Sequence, residues 1–307
     1  MKTEEQSENK QVYINELIFN KLGQTAKILK KLDTTNNDVY IISSNNKEYI
    51  LKFYKNRTWP EDGKNLYVNS LLEKNNIPFA KVVAYTRDCD FSDGGYILEE
   101  KIKGGSVNMD KLSTNEGEEY YSLLAKFIKK VHQIKFDNFG YINNGKPLYS
   151  NFYEFLKDDL EDHSKLLIEN NLISQEDLKR IQKHFKDVFA NGNFKPCLCH
   201  GDLSLRNAIV YNNKLVLIDY DDSMVLPAFA DIARMTFDMR PYKAYLSWRQ
   251  AFLNSYFQDI DEFKTYENFE KTYHIYCAID WIDFALKKGY DYTNLYDYLK
   301  TLLSSID

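Results

Sequence analysis

The 307 residues suffice for two ordinary domains or one two-lobed enzyme, and 44% hydrophobic content with 24 Tyr and 19 Phe excludes a globally disordered chain. A formal net charge of −5 argues against a general nucleic-acid binder, which draws on clustered Lys and Arg. No run of 18 apolar residues occurs, the N-terminus has no apolar stretch and the four cysteines form no C-x-x-C pair, so a reducing, cytoplasmic setting without membrane contact is expected.

Residues 1–10 read as a solvated, disordered leader. From about 25 to 54 the chain is strand-like: "AKILKKLD", then polar "TTNN", "DVYIIS", a turn at "SNNK", and "EYILKFY". "NLYVNSLLEKNN" carries apolar residues at 66, 68, 71 and 72 and predicts a helix that Ile77-Pro78 ends. "AKVVAYT" and "GGYILEEKI" return to strand character, with Gly94-Gly95 as the turn, and Lys103-Gly104-Gly105 closes the first region near residue 102. The remainder, 103–307, is predicted to be mainly helical. "EEYYSLLAKFIKKVHQI" shows helical spacing at Leu123, Leu124, Phe127, Ile128 and Val131. "NFYEFLKDDLEDHSKLLIENN" and "SQEDLKRIQKHFKDVFANG" follow, the second opened by a Ser cap and closed by Gly192. Cys197 and Cys199 belong to a strand leading into His200. "AIVYNN" and "KLVLIDY" then form a hairpin around Asn212-Asn213, and helices rich in aromatic residues run from about 227.

The hairpin explains the spacing of three polar residues. Asp202 and Asn207 in "HGDLSLRN" precede its first strand, and Asp219 follows its second, so the turn returns all three to one end. Asn and Asp oxygens are hard ligands suited to Mg²⁺, so Asn207 and Asp219 are the candidate metal ligands. Asp202 is the candidate base that takes a proton from a hydroxyl nucleophile. These are the parts that phosphoryl transfer needs.

"HGDLSLRN" followed by "VLIDYDD" resembles the catalytic and metal-binding motifs of the aminoglycoside phosphotransferase and choline kinase superfamily. Gly201 replaces the Arg of protein kinases, Ser204 replaces a Lys, and Asp219-Tyr220-Asp221 stands where they have Asp-Phe-Gly, all toward the small-molecule kinases. The resemblance implies an α+β, two-lobed, protein-kinase-like fold, with a small β-rich nucleotide-binding lobe at 1–102 and a larger, mainly helical catalytic and acceptor-binding lobe at 103–307. It implies ATP or GTP as co-substrate. "EYILKFY" resembles the strand carrying the phosphate-binding lysine, here Lys52. "LDTTNND" stands at the phosphate loop without a glycine, leaving Thr34, Thr35 and Asn36 as contacts. "YILEEKIKGG" resembles the hinge, with backbone near Glu100 and Ile102 meeting the base. The helix facing Lys52 should carry a Glu near Asn65 or Tyr67, where neither residue is acidic; Glu61 is the nearest candidate. Pro227 and Asp231 match the element whose Asp braces the catalytic loop, and His132 is structural.

In this superfamily the C-terminal helices line the acceptor pocket. Asp280 and Asp283 share a helix face beside Trp281 and Tyr276, which suits a cationic acceptor through charge pairing and cation–π contact, with Asp221 and Asp222 adding charge. The expected acceptor is an aminoglycoside or similar polyhydroxylated amine. Choline- or ethanolamine-type and sugar or lipopolysaccharide kinases are the alternatives; a protein kinase or a non-catalytic nucleotide-binding module fits less well.

Overall fold

The computed structural model describes residues 2–34, 36–142, 145, 147–190 and 192–306. The chain is α+β and divides into two compact units, Met1–Gly105 and Ser106–Asp307.

The first unit is built on a five-stranded antiparallel sheet. Its strands are β1 (Lys27–Leu32), β2 (Asp38–Ser44), β3 (Lys47–Phe53), β4 (Val82–Thr86) and β5 (Tyr96–Glu100), ordered β1-β2-β3-β5-β4. Asn45 and Asn46 make the β2–β3 turn, both at positive φ (49° and 61°), the left-handed pair that a two-residue hairpin demands. Helix α1 (Lys2–Leu22) precedes the sheet and α2 (Lys64–Lys74) follows β3. Ile14, Leu17 and Ile18, spaced for one helical face, pack with Tyr40, Ile42, Leu51, Phe53, Tyr96 and Leu98 into one apolar cluster. The backbone is helical from Lys2, across the stretch read from sequence as a leader. Docking of residues 14–18 supplies the nucleus, and extending an existing helix costs far less than starting one.

The strand β6 (Gly105–Ser106) stands at the division. The second unit carries α3 (Thr114–Val131), β7 (Gly140–Tyr141), α4 (Phe152–Glu169), α5 (Gln175–Phe185), β8 (Pro196–Cys199), β9 (Ala208–Tyr211), β10 (Lys214–Leu217), β11 (Met224–Pro227), α6 (Ala228–Met239), α7 (Tyr245–Tyr256), α8 (Ile260–Lys288) and α9 (Thr293–Leu303). Ser113 and Ser174 each open a helix with a reciprocal capping box, closed by Glu116 and Asp177. α3 packs closely on α7: a Cβ on Gly117 would lie 2.1 Å from the Trp248 indole nitrogen, which donates to the Thr114 carbonyl. Two small β structures position the loops of interest. β9 and β10 form the expected hairpin, with Asn212 and Asn213 at positive φ, and β8 pairs antiparallel with β11, which also pairs with β7.

Candidate active site

The loop that follows β8 begins with His200 and runs through Asp202 to Asn207. Its start is held by one buried carboxylate. Asp231, at the N-terminal end of α6, accepts from the backbone N–H of His200 at 2.8 Å and of Gly201 at 3.1 Å. His132, capping α3, meets the same carboxylate through Nε2 at 3.1 Å, and its Nδ1 meets the Tyr256 hydroxyl at 2.8 Å. Burial pushes the Asp231 carboxyl up, yet the His132 bond and the two N–H donors more than offset this and hold it below the usual range.

Gly201 has φ +83°, and a Cβ there would sit 1.9 Å from the Asp222 carbonyl oxygen. Only glycine satisfies both the backbone angle and this approach. His200 Nε2 meets the Ile218 carbonyl at 3.0 Å, fastening the loop to the far end of β10.

The hairpin gathers the three expected residues at its open end. Ile218 N–H donates to the Asn207 carbonyl at 2.9 Å, one pair beyond Ala208–Leu217, and Asp219 follows directly. Asn207 Nδ2 donates to the Asp202 carboxylate at 2.8 Å and to its backbone carbonyl at 2.9 Å. Asp219 takes a left-handed conformation, φ 65° and ψ 65°, an uncommon one for a residue with a side chain. Asp221 is buried and Asp222 half-buried in the helical turn just beyond. The donor set fits a small hard cation: an Asp219 carboxylate at the surface, and an Asn207 oxygen left over because the amide nitrogen is engaged.

In the first unit Lys52 is 7% exposed, central in β3 between Val39 of β2 and Ile97 of β5, its Nζ 5.4 Å from the Tyr54 ring centroid. The helix register places Asn65 on the buried face of α2, where it donates to the Tyr54 hydroxyl at 2.8 Å. Glu61 is bound to buried Lys64 at 2.6 Å. Thr34 and Asn36 lie exposed after β1, with the Thr34 hydroxyl donating to the Asn37 carbonyl. Thr35 lies outside the described residues. Glu100 ends β5, exposed, and Ile102 is half-buried two residues on.

The residues expected to meet a cationic acceptor are differently employed. Asp283 is 2% exposed and bonded to His163 Nδ1 at 2.8 Å and Lys287 at 2.6 Å. Asp280 pairs with Arg234 at 2.6 Å and lies 3.5 Å from His163 Nε2, as does Asp159. Tyr276 is buried and donates to Asp159. Burial alone lowers the His163 pKa, but the surrounding carboxylates raise it to about 9, so the ring is cationic at neutral pH. Asp283 thus sits in a buried, matched ion cluster: three carboxylates on two helices collect His163, Arg234 and Lys287, which cancel their charge.

Sequence reading did not single out Arg206 and Asp238, which pair beside the 200–207 loop. Arg206 lies 3.9 Å from Asp238 Oδ2, and Asp238 sits seven residues after Asp231 on α6. That seven-residue interval, which repeats a helix face, was the available signal.

The phosphotransferase enzyme family matches residues 30–266. The chain belongs to that family. This phosphotransferase acts on a hydroxyl group and is a small-molecule kinase of kinase-like fold. No curated protein matches it by sequence. Among solved structures it is similar to the aminoglycoside phosphotransferase APH(4)-Ia, at 14% identity over 96% of this chain and 97% of that one, with a TM-score of 0.70. It is similar to APH(2'')-Ib with ADP bound, at 20% identity over 94% and 95%, TM-score 0.63. A putative fructosamine-3-kinase from Haemophilus somnus 129PT aligns at 16% identity over 95% and 96%, TM-score 0.65. No helix among the described residues is long and apolar enough to cross a membrane.

Proposed function

We propose that this phosphotransferase moves the γ-phosphoryl group of ATP or GTP to a hydroxyl of a small polyhydroxylated acceptor, with Asp202 as the base. The observation that carries the reading is the hold on Asp202: its carboxylate receives the Asn207 amide at 2.8 Å, and the loop before it is pinned by Asp231 through two backbone bonds. A base must be fixed before it can orient a nucleophile. The acceptor hydroxyl donates to Asp202 and gives up its proton as its oxygen bonds the γ-phosphorus. The bond from that phosphorus to the β–γ bridging oxygen breaks, and the nucleoside diphosphate leaves. Lys52 is assigned to the phosphates, with Thr34 and Asn36 as further contacts and the backbone near Glu100 and Ile102 to the base. Asn207 and Asp219 would hold Mg²⁺, which when bound neutralises phosphate charge.

Solved neighbours described with AMP-PNP and hygromycin B, and with ATP and streptomycin, support an aminoglycoside-like acceptor. Cancellation of the Asp280 and Asp283 charges favours a second reading, an acceptor chosen by its hydroxyls and not by positive charge. Purified protein with Mg²⁺ and ATP or GTP, assayed against hygromycin B, streptomycin, choline, a fructosamine and a generic protein, separates these. Turnover with the protein alone, or with none, sinks the proposal.

A further inference from the structure

Cys197 and Cys199 are two buried thiols that the proposed reaction leaves unused. They stand two apart on β8, so both side chains leave the same face of the strand. Both point at the Leu226 carbonyl of β11, from 3.3 and 3.6 Å, and Cys199 also hydrogen-bonds Cys197. On that face they meet the His132–Asp231 pair: Cys199 Sγ, a His132 ring nitrogen and an Asp231 oxygen lie within 4.8 Å of one another. All four residues are at most 2% exposed.

Two sulfurs, an imidazole nitrogen and a carboxylate oxygen are the donors of a closed zinc site, whereas Mg²⁺ and Ca²⁺ take oxygen ligands. The spacing is close to what the ion needs. Zinc bonds of about 2.0–2.1 Å to nitrogen and 2.0–2.2 Å to oxygen, opened to a tetrahedral angle, hold those two atoms about 3.4 Å apart. His132 Nε2 and Asp231 Oδ2 are 3.1 Å apart. The Cys199 sulfur has to close in by at most about 1 Å. The outer partners are in place too. The His200 and Gly201 N–H groups orient the Asp231 carboxylate, and the Tyr256 hydroxyl meets His132 at Nδ1. A hydroxyl both donates and accepts, so Tyr256 serves the Nδ1–H tautomer that frees Nε2 for a metal.

We propose that Cys197, Cys199, His132 and Asp231 form a closed structural site for a thiophilic divalent cation, zinc above all. Binding replaces each S–H bond by a sulfur–metal bond and releases two protons; no sulfur is oxidised. One dication arrives as two protons leave, so the buried charge is unchanged. The ion ties β8, the end of α3 and the start of α6 together at the root of the 200–207 loop. With four protein ligands it keeps no open position, so it braces the loop and takes no part in phosphoryl transfer. The site shares no ligand with the Mg²⁺ assigned to Asn207 and Asp219.

Cd²⁺ is the probe, because its thiolate complexes absorb in the ultraviolet and its oxygen complexes do not. The full chain, reduced and stripped with a chelator, is either incubated with Cd²⁺ or refolded in its presence, since buried donors are reached only by local opening. The thiolate band should appear and saturate at one ion per chain, and Zn²⁺ should displace it. Saturating Zn²⁺ should raise the melting temperature by about 5 °C or more, as a ligand held only by the folded state does. Band and shift should vanish in Cys199→Ser and persist in Cys89→Ser, Cys277→Ser and Asp219→Ala. Should Cys199→Ser lose native circular dichroism, Cys197→Ala takes its place. No band by either route overturns the proposal. So does a band that survives loss of Cys199 or Cys197, or one lost with Cys89 or Cys277, since that places the ion on another thiol.

Discussion

Asn207 aims its side-chain nitrogen at the Asp202 carboxylate, 2.8 Å from Oδ2. The opposite amide orientation would set two oxygens against each other, so the bond fixes which end of Asn207 remains for other partners. In the proposed mechanism one residue thereby steadies the base with its nitrogen and offers its oxygen to Mg²⁺. Asp202→Asn should lower kcat by about 10²–10⁴ while leaving nucleotide affinity near wild type, because the carboxylate acts on the acceptor. Calorimetric nucleotide titration beside turnover checks both halves. A variant retaining more than about a tenth of the rate would remove Asp202 from the role of base.

Asp219→Ala should abolish the enhancement of nucleotide binding by Mg²⁺, because one of two candidate protein ligands is lost. Titrating nucleotide with and without the metal measures this. Equal enhancement in variant and wild type would remove Asp219 from the metal site.

Gly201→Ala brings a Cβ to 1.9 Å of the Asp222 carbonyl in a left-handed backbone position, so the loop or the 220–222 turn must shift. Displacement of the base by about 1 Å suffices to lower kcat about a hundredfold. Steady-state kinetics of a variant with native-like circular dichroism tests it; a near-normal kcat would show that the loop tolerates rearrangement.

The His163 cluster sets a pH dependence of stability. Its pKa is raised from 6.5 to about 9 in the folded chain. The contribution is thus fully present below pH 6.5 and is lost as pH rises through 9. The shift corresponds to up to about 3 kcal/mol. Thermal unfolding from pH 6 to 9.5 should show a decline that is smaller in His163→Gln. Asp283→Asn should lower the melting temperature without changing acceptor KM; a changed KM with unchanged melting would restore Asp283 to the acceptor.

Legibility differed with the range of the interactions. The β2–β3 and β9–β10 hairpins were legible because their asparagine turns are local, and the 202–219 constellation because a hairpin returns its ends. The Asp231 brace was legible only through motif resemblance. α1 was missed because its stabilisation is tertiary: Ile14, Leu17 and Ile18 declare themselves only against the sheet. The fates of Asp280 and Asp283 were hidden because their partners, His163 and Arg234, lie 120 and 46 positions away. A shared helix face says nothing about which cation arrives there. That Glu61 would be taken by Lys64 was not legible in the sequence.

Among the described residues, every side-chain-bearing position at positive φ is an asparagine except one, Asp219. Where the chain needs a left-handed turn for shape alone, it uses the amide that tolerates it best after glycine. At 219 it keeps a carboxylate instead and accepts backbone strain of about 1–3 kcal/mol. Selection for folding by itself would favour glycine there, and Asp219→Gly is a candidate for a tougher but inert protein. On the proposed assignment of Asp219 as a metal ligand, the position trades durability for catalysis.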